Sequence, residues 1–279
     1  LQLYYILFIF RKLAFYQKEL HENESEIPIS IIIAARNESQ ALGENLQTIL
    51  EQDYKNFEVI VVNNNSMDDS AHVLDQFKTK FKNLKTVTLD NHKHIRQGKK
   101  LPLTLGIKAA KNEHLVFTDA DCKPVSNQWL KKITLGFHND REIILGYGPY
   151  TKTNQWLNTI IRFDTAWIGI NYFSFALNKT PYMGVGRNLA YTKSAYHAVS
   201  GFKSHYALAS GDDDLFIQEA SQKSSLGIQI DPESYCLSNS KNSWSKWLNQ
   251  KSRHYTTSSK YGFIKKLLLT TIAVLVILE

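Results

Sequence analysis

The run Ile29-Ser30-Ile31-Ile32-Ile33-Ala34-Ala35 constrains this chain most, because it stops abruptly at the polar Arg36-Asn37-Glu38. A nearly continuous, largely β-branched stretch between a proline and a polar turn describes a strand buried on both faces, as in a parallel sheet. The rhythm recurs. Residues 57–62 form a second such strand ending in Asn63-Asn64-Asn65-Ser66, residues 85–89 a third, and 113–118 a fourth that runs into Asp119-Ala120-Asp121. Between them, residues 41–52 carry helical apolar spacing (Leu42, Leu46, Ile49, Leu50) behind Asn37 as a cap, and further helices are expected near 70–80 and 100–110. This β-α-β-α-β-α-β order predicts an α/β fold on an open, mostly parallel sheet. Ligands of such sheets bind beyond the carboxyl ends of the strands, where Arg36–Glu38, Asn63–Ser66 and Asp119–Asp121 all lie.

The second half is less regular. A helix is expected over 156–177, a glycine-bearing loop over 181–188, a helix over 212–221, and a Trp-, Tyr- and Lys-rich stretch over 243–263. With 43% hydrophobic and 21% charged residues in 279, the chain can bury a core, which excludes wholesale disorder. Its two cysteines, Cys122 and Cys236, lie far apart, which argues against a disulfide framework or structural zinc and fits a reducing compartment. Cys122 is expected as a small buried apolar residue. His92-Lys93-His94 lacks further ligands at useful spacing and is expected in a solvated loop. A formal charge of +7 suits phosphates or anionic lipid, whereas the dispersal of Lys and Arg argues against nucleic acid.

Both ends are apolar: residues 1–10 precede Arg11-Lys12, and Lys265-Lys266 precede 267–278. Each run is shorter than the ~20 residues that span a bilayer. Buried helices would explain them, but basic residues on the domain-facing side favour truncated transmembrane helices over 1–12 and 264–279 with the domain between them on the cytoplasmic side. The expectation is a cell-membrane protein, anchored or multi-pass, with one α/β domain over 28–240. An amphipathic interfacial segment is expected over 241–263, where Trp244, Trp247, Arg253 and Tyr255 collect.

Two acidic clusters can carry chemistry. Asp119 and Asp121, two residues apart after a buried strand, offer oxygen ligands to a hard cation such as Mg²⁺ or Mn²⁺ shared with a diphosphate. Alone they would be an acidic turn; their place at the fourth strand's end, downstream of Gly98-Lys99-Lys100, favours a site. In Gly211-Asp212-Asp213-Asp214-Leu215 the carboxylates raise one another's pKa, which suits a base, although acids also suit a helix start.

Seven blocks in order make a specific resemblance: Ser30–Glu38, Val61–Asp68, Gly98–Lys100, Thr118–Asp121, Gly184–Ala190, Gly211–Leu215 and Gln250–His254. From Ile29 to about Tyr255 the chain resembles the inverting family 2 glycosyltransferases with a GT-A (Rossmann-like) fold, of membrane-associated bacterial type. The resemblance implies that Ala35, Arg36 and Glu38 face a uridine, with Asn63 or Asn64 near the base where the family usually has Asp. It implies Lys99 near the diphosphate, Asp119 at the donor and, with Asp121, on Mg²⁺ or Mn²⁺. Asp212 or Asp213 would be the catalytic base, with Asp214 left to the helix. Gln250 and Arg253 would meet the diphosphate and the acceptor end, His254 replacing the family's Trp. Asp68 closes its block and is equally suited to capping the next helix. The implied activity is inverting transfer from a nucleotide-sugar, UDP-linked, to a hydroxyl of a lipid-linked or growing-glycan acceptor. A sugar-phosphate nucleotidyltransferase would carry a glycine-rich phosphate loop after the first strand, which is absent here. A non-catalytic nucleotide- or membrane-binding partner protein would have no need of Asp119, Asp121, Asp212 and Asp213 together.

Overall fold

The computed structural model describes residues 2–17, 27–89 and 98–277. Leu1, His92-Lys93-His94, the end of the C-terminal apolar run and most of the stretch between 13 and 27 lie outside the described residues. The chain enters through α1 (Gln2–Tyr4), a π-helical stretch (Tyr5–Phe10) and α2 (Arg11–Ala14).

Strands β1 (Ile29–Ala35), β2 (Phe57–Asn64), β3 (Leu84–Leu89) and β4 (His114–Asp119) pair in parallel, with β1 between β2 and β4. The crossovers are α3 (Ser39–Leu50), α4 (Ser70–Lys80) and α5 (Lys100–Ala109). Beyond β4 a short two-stranded ribbon pairs β5 (Cys122–Pro124) with β9 (Cys236–Ser238). Helix α6 (Trp129–Thr134) leads to β6 (Ile143–Leu145), and the long α7 (Trp156–Leu177) leads to β7 (Leu189–Thr192). After α8 (Lys193–Ala198) and α9 (Asp214–Ala220), β8 (Leu226–Ile228) completes a seven-stranded sheet of order β3-β2-β1-β4-β7-β6-β8. Only β7 runs antiparallel to its neighbours in that sheet. Helices α10 (Trp244–Tyr255) and α11 (Phe263–Ile277) follow.

The apolar run of β1 is explained by two cores, one on each face. Ile31 and Ile33 join Leu42, Leu46, Trp129 and Leu130 on one side. Ile32 joins Leu103, Ile107, Phe117 and Phe216 on the other. Alternating side chains of one strand therefore both need to be apolar. Helix α5 approaches the sheet closely at Gly106, where a Cβ would stand 2.5 Å from the Ile32 Cγ2 and 3.3 Å from the Val62 Cγ2.

The expected membrane spans are not seen: among the described residues no helix is long and apolar enough to cross a membrane. Helix α11 has 15 residues, about 22 Å at 1.5 Å per residue, against a hydrocarbon core of ~30 Å. The N-terminal helical stretch lies against α7 and α11. Tyr5 and Ile9 are buried, the Tyr5 hydroxyl donates to the Leu268 carbonyl at 3.0 Å, and Asn178 Nδ2 donates to the Ile9 carbonyl at 2.9 Å. Its other face leaves Leu3, Ile6, Leu7 and Phe8 exposed.

Two glycines give opposite expectations. Gly106→Val forces a methyl-bearing carbon into Ile32 and should lower the urea-unfolding free energy by about 1–3 kcal/mol. Gly43, inside α3 with nothing within 4 Å of an added Cβ, should gain about 0.5–1 kcal/mol as Ala. Chemical denaturation of the two variants beside the parent measures both.

Candidate active site

The sheet register brings the rim residues together before any side chain acts: Ala34 stands opposite Asp119, and Ala35 opposite Asn63. Around this rim the loops after β1 and β2 are stitched into one unit. Asn37 takes a left-handed turn (φ 54°), and its Oδ1 accepts from the Met67 amide at 2.7 Å while its own amide donates to Ser66 Oγ at 2.9 Å. It therefore does not cap α3; the capping position is Glu38, without a side-chain cap. Asp68 serves both helix starts. Its Oδ2 accepts from the Ser39 amide at 2.9 Å, and its Oδ1 from the Ser70 amide at 3.1 Å and the Ser70 hydroxyl at 2.5 Å. These hydrogen bonds, the Ser70 hydroxyl foremost, hold the Asp68 carboxyl well below the usual range.

Of the residues expected at the nucleoside, Ala35 is buried at the end of β1, Arg36 is exposed, and Glu38 is half-buried beside the acidic turn. Asn63 is buried and its Oδ1 accepts from the Ser66 amide at 3.2 Å, so that oxygen already shapes its own turn. Asn64 stays half-buried at the rim.

Lys99 organises the charges. Its Nζ lies 2.6 Å from Asp119 Oδ1. The Lys99 side chain is 49% exposed; its partial desolvation pulls the ammonium down, but Asp119, Asp212 and Asp121 outweigh it and hold it above the usual lysine value. Burial likewise pushes the Asp119 carboxyl up, and Lys99, followed by Arg187 and Arg253, brings it below the ordinary range. Glu38 is pushed up, first by burial and then by Asp121 and, more weakly, Asp119. One small cleft is lined by Lys99, Asp119, Gly186, Tyr191 and Asp212.

Asp213 caps α9. It accepts from the Asp214 amide at 2.8 Å and the Gly186 amide at 3.2 Å. Burial, then the neighbouring Asp212 and Asp214, push its carboxyl up to about 7. Asp212 is also raised by burial, opposed chiefly by Lys99. The acidic turn after β4 and the Asp212-Asp213 turn thus flank one lysine.

Several residues here escaped sequence reasoning. Lys100 is 3% exposed, and its ammonium donates to the carbonyls of His205 (2.9 Å), Leu208 (2.9 Å) and Ser210 (2.5 Å). Three donors meet three acceptors, pinning the loop that enters Gly211-Asp212-Asp213. Arg187 Nε donates to the Gly148 carbonyl at 2.8 Å, and its guanidinium lies 4.6 Å from the centre of the Tyr150 ring. The Tyr150 hydroxyl accepts from Gln250 Nε2 at 3.4 Å, bringing the start of the Gln250–His254 block to the same corner. Arg253, exposed on α10, is close enough to act on the Asp119 carboxyl.

Among the described residues, one group of acidic and thiol side chains could hold a metal: donor atoms of Asp119, Asp121 and Cys122 lie within 4.8 Å of one another. Cys122 is fully buried, as expected, beside Cys236, and contact with that thiol, then burial, pushes its own well above the usual range. A protonated thiol is a poor donor to a hard cation. The two carboxylates remain, with Glu38 adding negative charge. That set fits Mg²⁺ or Mn²⁺ completed by oxygens of a bound diphosphate.

A mostly parallel sheet flanked by helices, with acidic turns on the carboxyl rim, defines a GT-A-like α/β protein. The sequence profile Glycosyl transferase family 2 matches residues 30–199, and the chain belongs to that family. The 4,4'-diaponeurosporenoate glycosyltransferase of Staphylococcus haemolyticus is 28% identical over 204 residues, 71% of this chain and 53% of that protein. The chain spans 33% and 23% of the length of two other curated relatives. The mannosyltransferase PcManGT of Pyrobaculum calidifontis, solved with GDP-Man and Mn²⁺, superposes with a TM-score of 0.71 at 18% identity, over 94% of this chain and 72% of that one. Staphylococcus aureus TarS 1–349 with UDP-GlcNAc gives 0.57 at 18% identity, covering 78% of this chain and 60% of that one.

The Asp68 clasp predicts a sign as well as a loss. A carboxyl held low contributes stability above its unfolded value and loses it as pH falls through the lower folded value. Asp68→Ala should melt below the parent at pH 7, with faster amide exchange at 37–39 and 66–70, and the gap should narrow on strong acidification. Thermal melts across pH check this.

Proposed function

We propose that the chain is the catalytic part of an inverting glycosyltransferase that moves a sugar from a UDP-linked donor to a hydroxyl acceptor presented at a membrane. The observation that carries this reading is one cleft lined by Asp119, Asp212 and Lys99, with Lys99 paired to Asp119 and acting electrostatically on Asp212. An in-line displacement at an anomeric carbon needs charge relief at the departing diphosphate and a base at the attacking hydroxyl, and the two acidic turns stand on one cleft to supply them. The nucleoside fits against the clasped loops, between Ala35, Arg36 and Glu38 on one side and Asn64 on the other. Asn63 is the weaker base contact, since its oxygen already accepts from Ser66. An amide at this position can still accept from a ring N–H.

Asp119 and Asp121 would hold Mg²⁺ or Mn²⁺, which when bound supplies Lewis-acid neutralisation of the departing diphosphate. Lys99 is poised to offset diphosphate charge as its pairing with Asp119 is shared. Arg253 and Gln250 approach from α10; a guanidinium suits a bidentate phosphate contact. Asp213, whose carboxyl sits near 7, or its neighbour Asp212 takes the proton from the acceptor hydroxyl as that oxygen attacks the anomeric carbon opposite the leaving diphosphate. A general base near the working pH is effective because it is both ionised and basic.

The acceptor is a lipid-linked or growing glycan. Trp244, Leu248 and Tyr255 on α10 and Leu3, Ile6, Leu7 and Phe8 near the N-terminus are exposed. Arg11, Lys12 and Lys266 are nearby in the chain, and such mixtures collect at headgroup depth. This supports a catalytic domain resting on the cytoplasmic face of the cell membrane.

Three measurements test the proposal. Thermal-shift screening against UDP-, GDP- and CDP-sugars with Mn²⁺ should single out UDP-sugars, because a ligand that binds only the folded state raises its stability. Transfer from labelled UDP-sugar to membrane lipid should fall by roughly 10²–10⁴-fold in Asp212→Asn or Asp213→Asn, whichever is the base; full turnover in both sinks the assignment. In the parent, kcat should rise with pH to a plateau above about 7, the sign expected of a base that must lose its proton. Separately, co-sedimentation with anionic vesicles should weaken with salt and in Trp244→Ala/Leu248→Ala.

A further inference from the structure

The turn bearing Asp212 and Asp213 is followed by a third carboxylate that the proposed reaction does not use. Asp214 is 7% exposed. Its Oδ1 accepts from the Leu215 amide at 2.8 Å, and its Oδ2 accepts from the Tyr261 hydroxyl at 2.7 Å and from the Thr257 hydroxyl. Thr257 is 1% exposed and, with Tyr261, belongs to the short connection between α10 and α11. A second tie lies one turn further along α9. Gln218 Nε2 donates to the Tyr182 carbonyl at 2.9 Å, and Lys265 Nζ donates to the Pro181 carbonyl at 2.7 Å and to Gln218 Oε1 at 3.4 Å. Tyr261 also packs on Tyr182, ring centres 6.4 Å apart.

Helix α10 makes these ties consequential, because it buries none of its residues. Gln250 reaches Tyr150 at 3.4 Å, and Lys251 pairs with Asp164 of α7, the two side chains 17% and 30% exposed; neither contact is fully buried. The first fully buried side chain after Gln250 and Arg253 is Thr257, and it donates to Asp214. A buried carboxylate that loses a hydroxyl donor keeps its desolvation cost without the compensating bond, so such a contact is strongly directional.

We propose that Asp214 is a positioning residue that joins the base-bearing turn to α10, so that Asp212-Asp213 and Arg253 are set as one unit. The upstream side of the same turn is already pinned by Lys100 to the carbonyls of residues 205–210. Asp214 supplies the downstream pin, and that pin comes from the segment carrying the phosphate-facing arginine. The inference rests on the glycosyltransferase reading for its consequence, but not for its geometry.

The test uses Thr257→Val, Tyr261→Phe and their combination, with Thr257→Ser as the conservative variant. Amide hydrogen exchange followed by mass spectrometry reads the tie without any reaction. Removing the hydroxyls should speed exchange about tenfold or more at both 211–216 and 250–256, with the melting temperature of Tyr261→Phe confirming a folded chain. Turnover in the same variants should fall about tenfold or more, with the pH at half-maximal kcat displaced, and Thr257→Ser should restore exchange and turnover together. The proposal is overturned if 250–256 loosens while 211–216 exchanges as in the parent, or if Thr257→Ser behaves like Thr257→Val. A parent chain that transfers no sugar while the exchange pattern holds would reject the glycosyltransferase reading and leave the Asp214 tie standing.

Discussion

The rim formed by the ends of β1, β2 and β4 hangs on the backbone ladder of β1, whose two edges are both occupied. Hydrogen bonding to β2 on one side and β4 on the other holds Ala35 opposite Asn63 and Ala34 opposite Asp119. A slip of one residue would send Ile32 to the face of Ile31 and Ile33 and break both cores at once. The rim is therefore placed by burial far from it. That economy explains why loops of polar, weakly structured sequence can present charged side chains at defined separations: their anchor points cannot move independently.

On that rim the charges do not balance by pairing one acid with one base. Asp119 has Lys99 at 2.6 Å, and the same ammonium is the principal cation acting on Asp212. Glu38 and Asp121 lie on the donor side, and Glu38 is raised partly by Asp121 itself. Like charges held together by the fold store repulsion that a cation or a proton relieves. On the donor side a divalent ion fits that need; on the acceptor side Asp213, pushed up to about 7, meets it with a proton. The same clustering thus suits two chemistries, and what separates them is Lys99 standing between.

Much of this was legible in the sequence where a single local rule governed the outcome. Doubly buried strands give apolar runs, so β1, β2 and β4 stood out, and the helices expected near 70–80 and over 156–177 are seen as α4 and α7. The three-residue strands β6, β8 and β9 are too short to show a period. Asn37 looked like a helix cap because Asn is a good one, yet its left-handed φ turns the side chain to Met67 across the rim. Lys100 and Asp214 were invisible for another reason. The partners of Lys100 are backbone carbonyls more than a hundred residues away, and a carbonyl has no residue-type signature. Cys122 and Cys236, remote in sequence, meet only because β5 and β9 pair. The apolar ends were read from their composition and basic flanks, which do not distinguish a span from helices that fold back on α7, as residues 2–14 do.

The two halves of the site also differ in how they are held. The loops proposed to hold the nucleoside are clasped by their own side chains: Asp68, Asn37, Ser66 and Ser70 join the loop after β1 to the loop after β2 with bonds of 2.5–3.1 Å. Their shape exists before any ligand arrives, which lowers the ordering cost of binding. Asn at 63 and 64 where the family usually carries Asp fits this arrangement, because the acid that stiffens the loops is Asp68 and a second carboxylate would add repulsion next to Glu38 and Asp121. The turn proposed to carry the base is held instead by Lys100 on its upstream side and by the amides of Gly186 and Asp214 on Asp213. Arg253 sits on a helix without buried residues, which is followed by Thr257 and Tyr261, both bonded to the carboxylate beside the proposed base. On the proposed reading, donor recognition is built into the sheet, whereas the geometry for transfer depends on how the last quarter of the chain is seated. A membrane surface that engages α10 would act on this second half while leaving the first untouched.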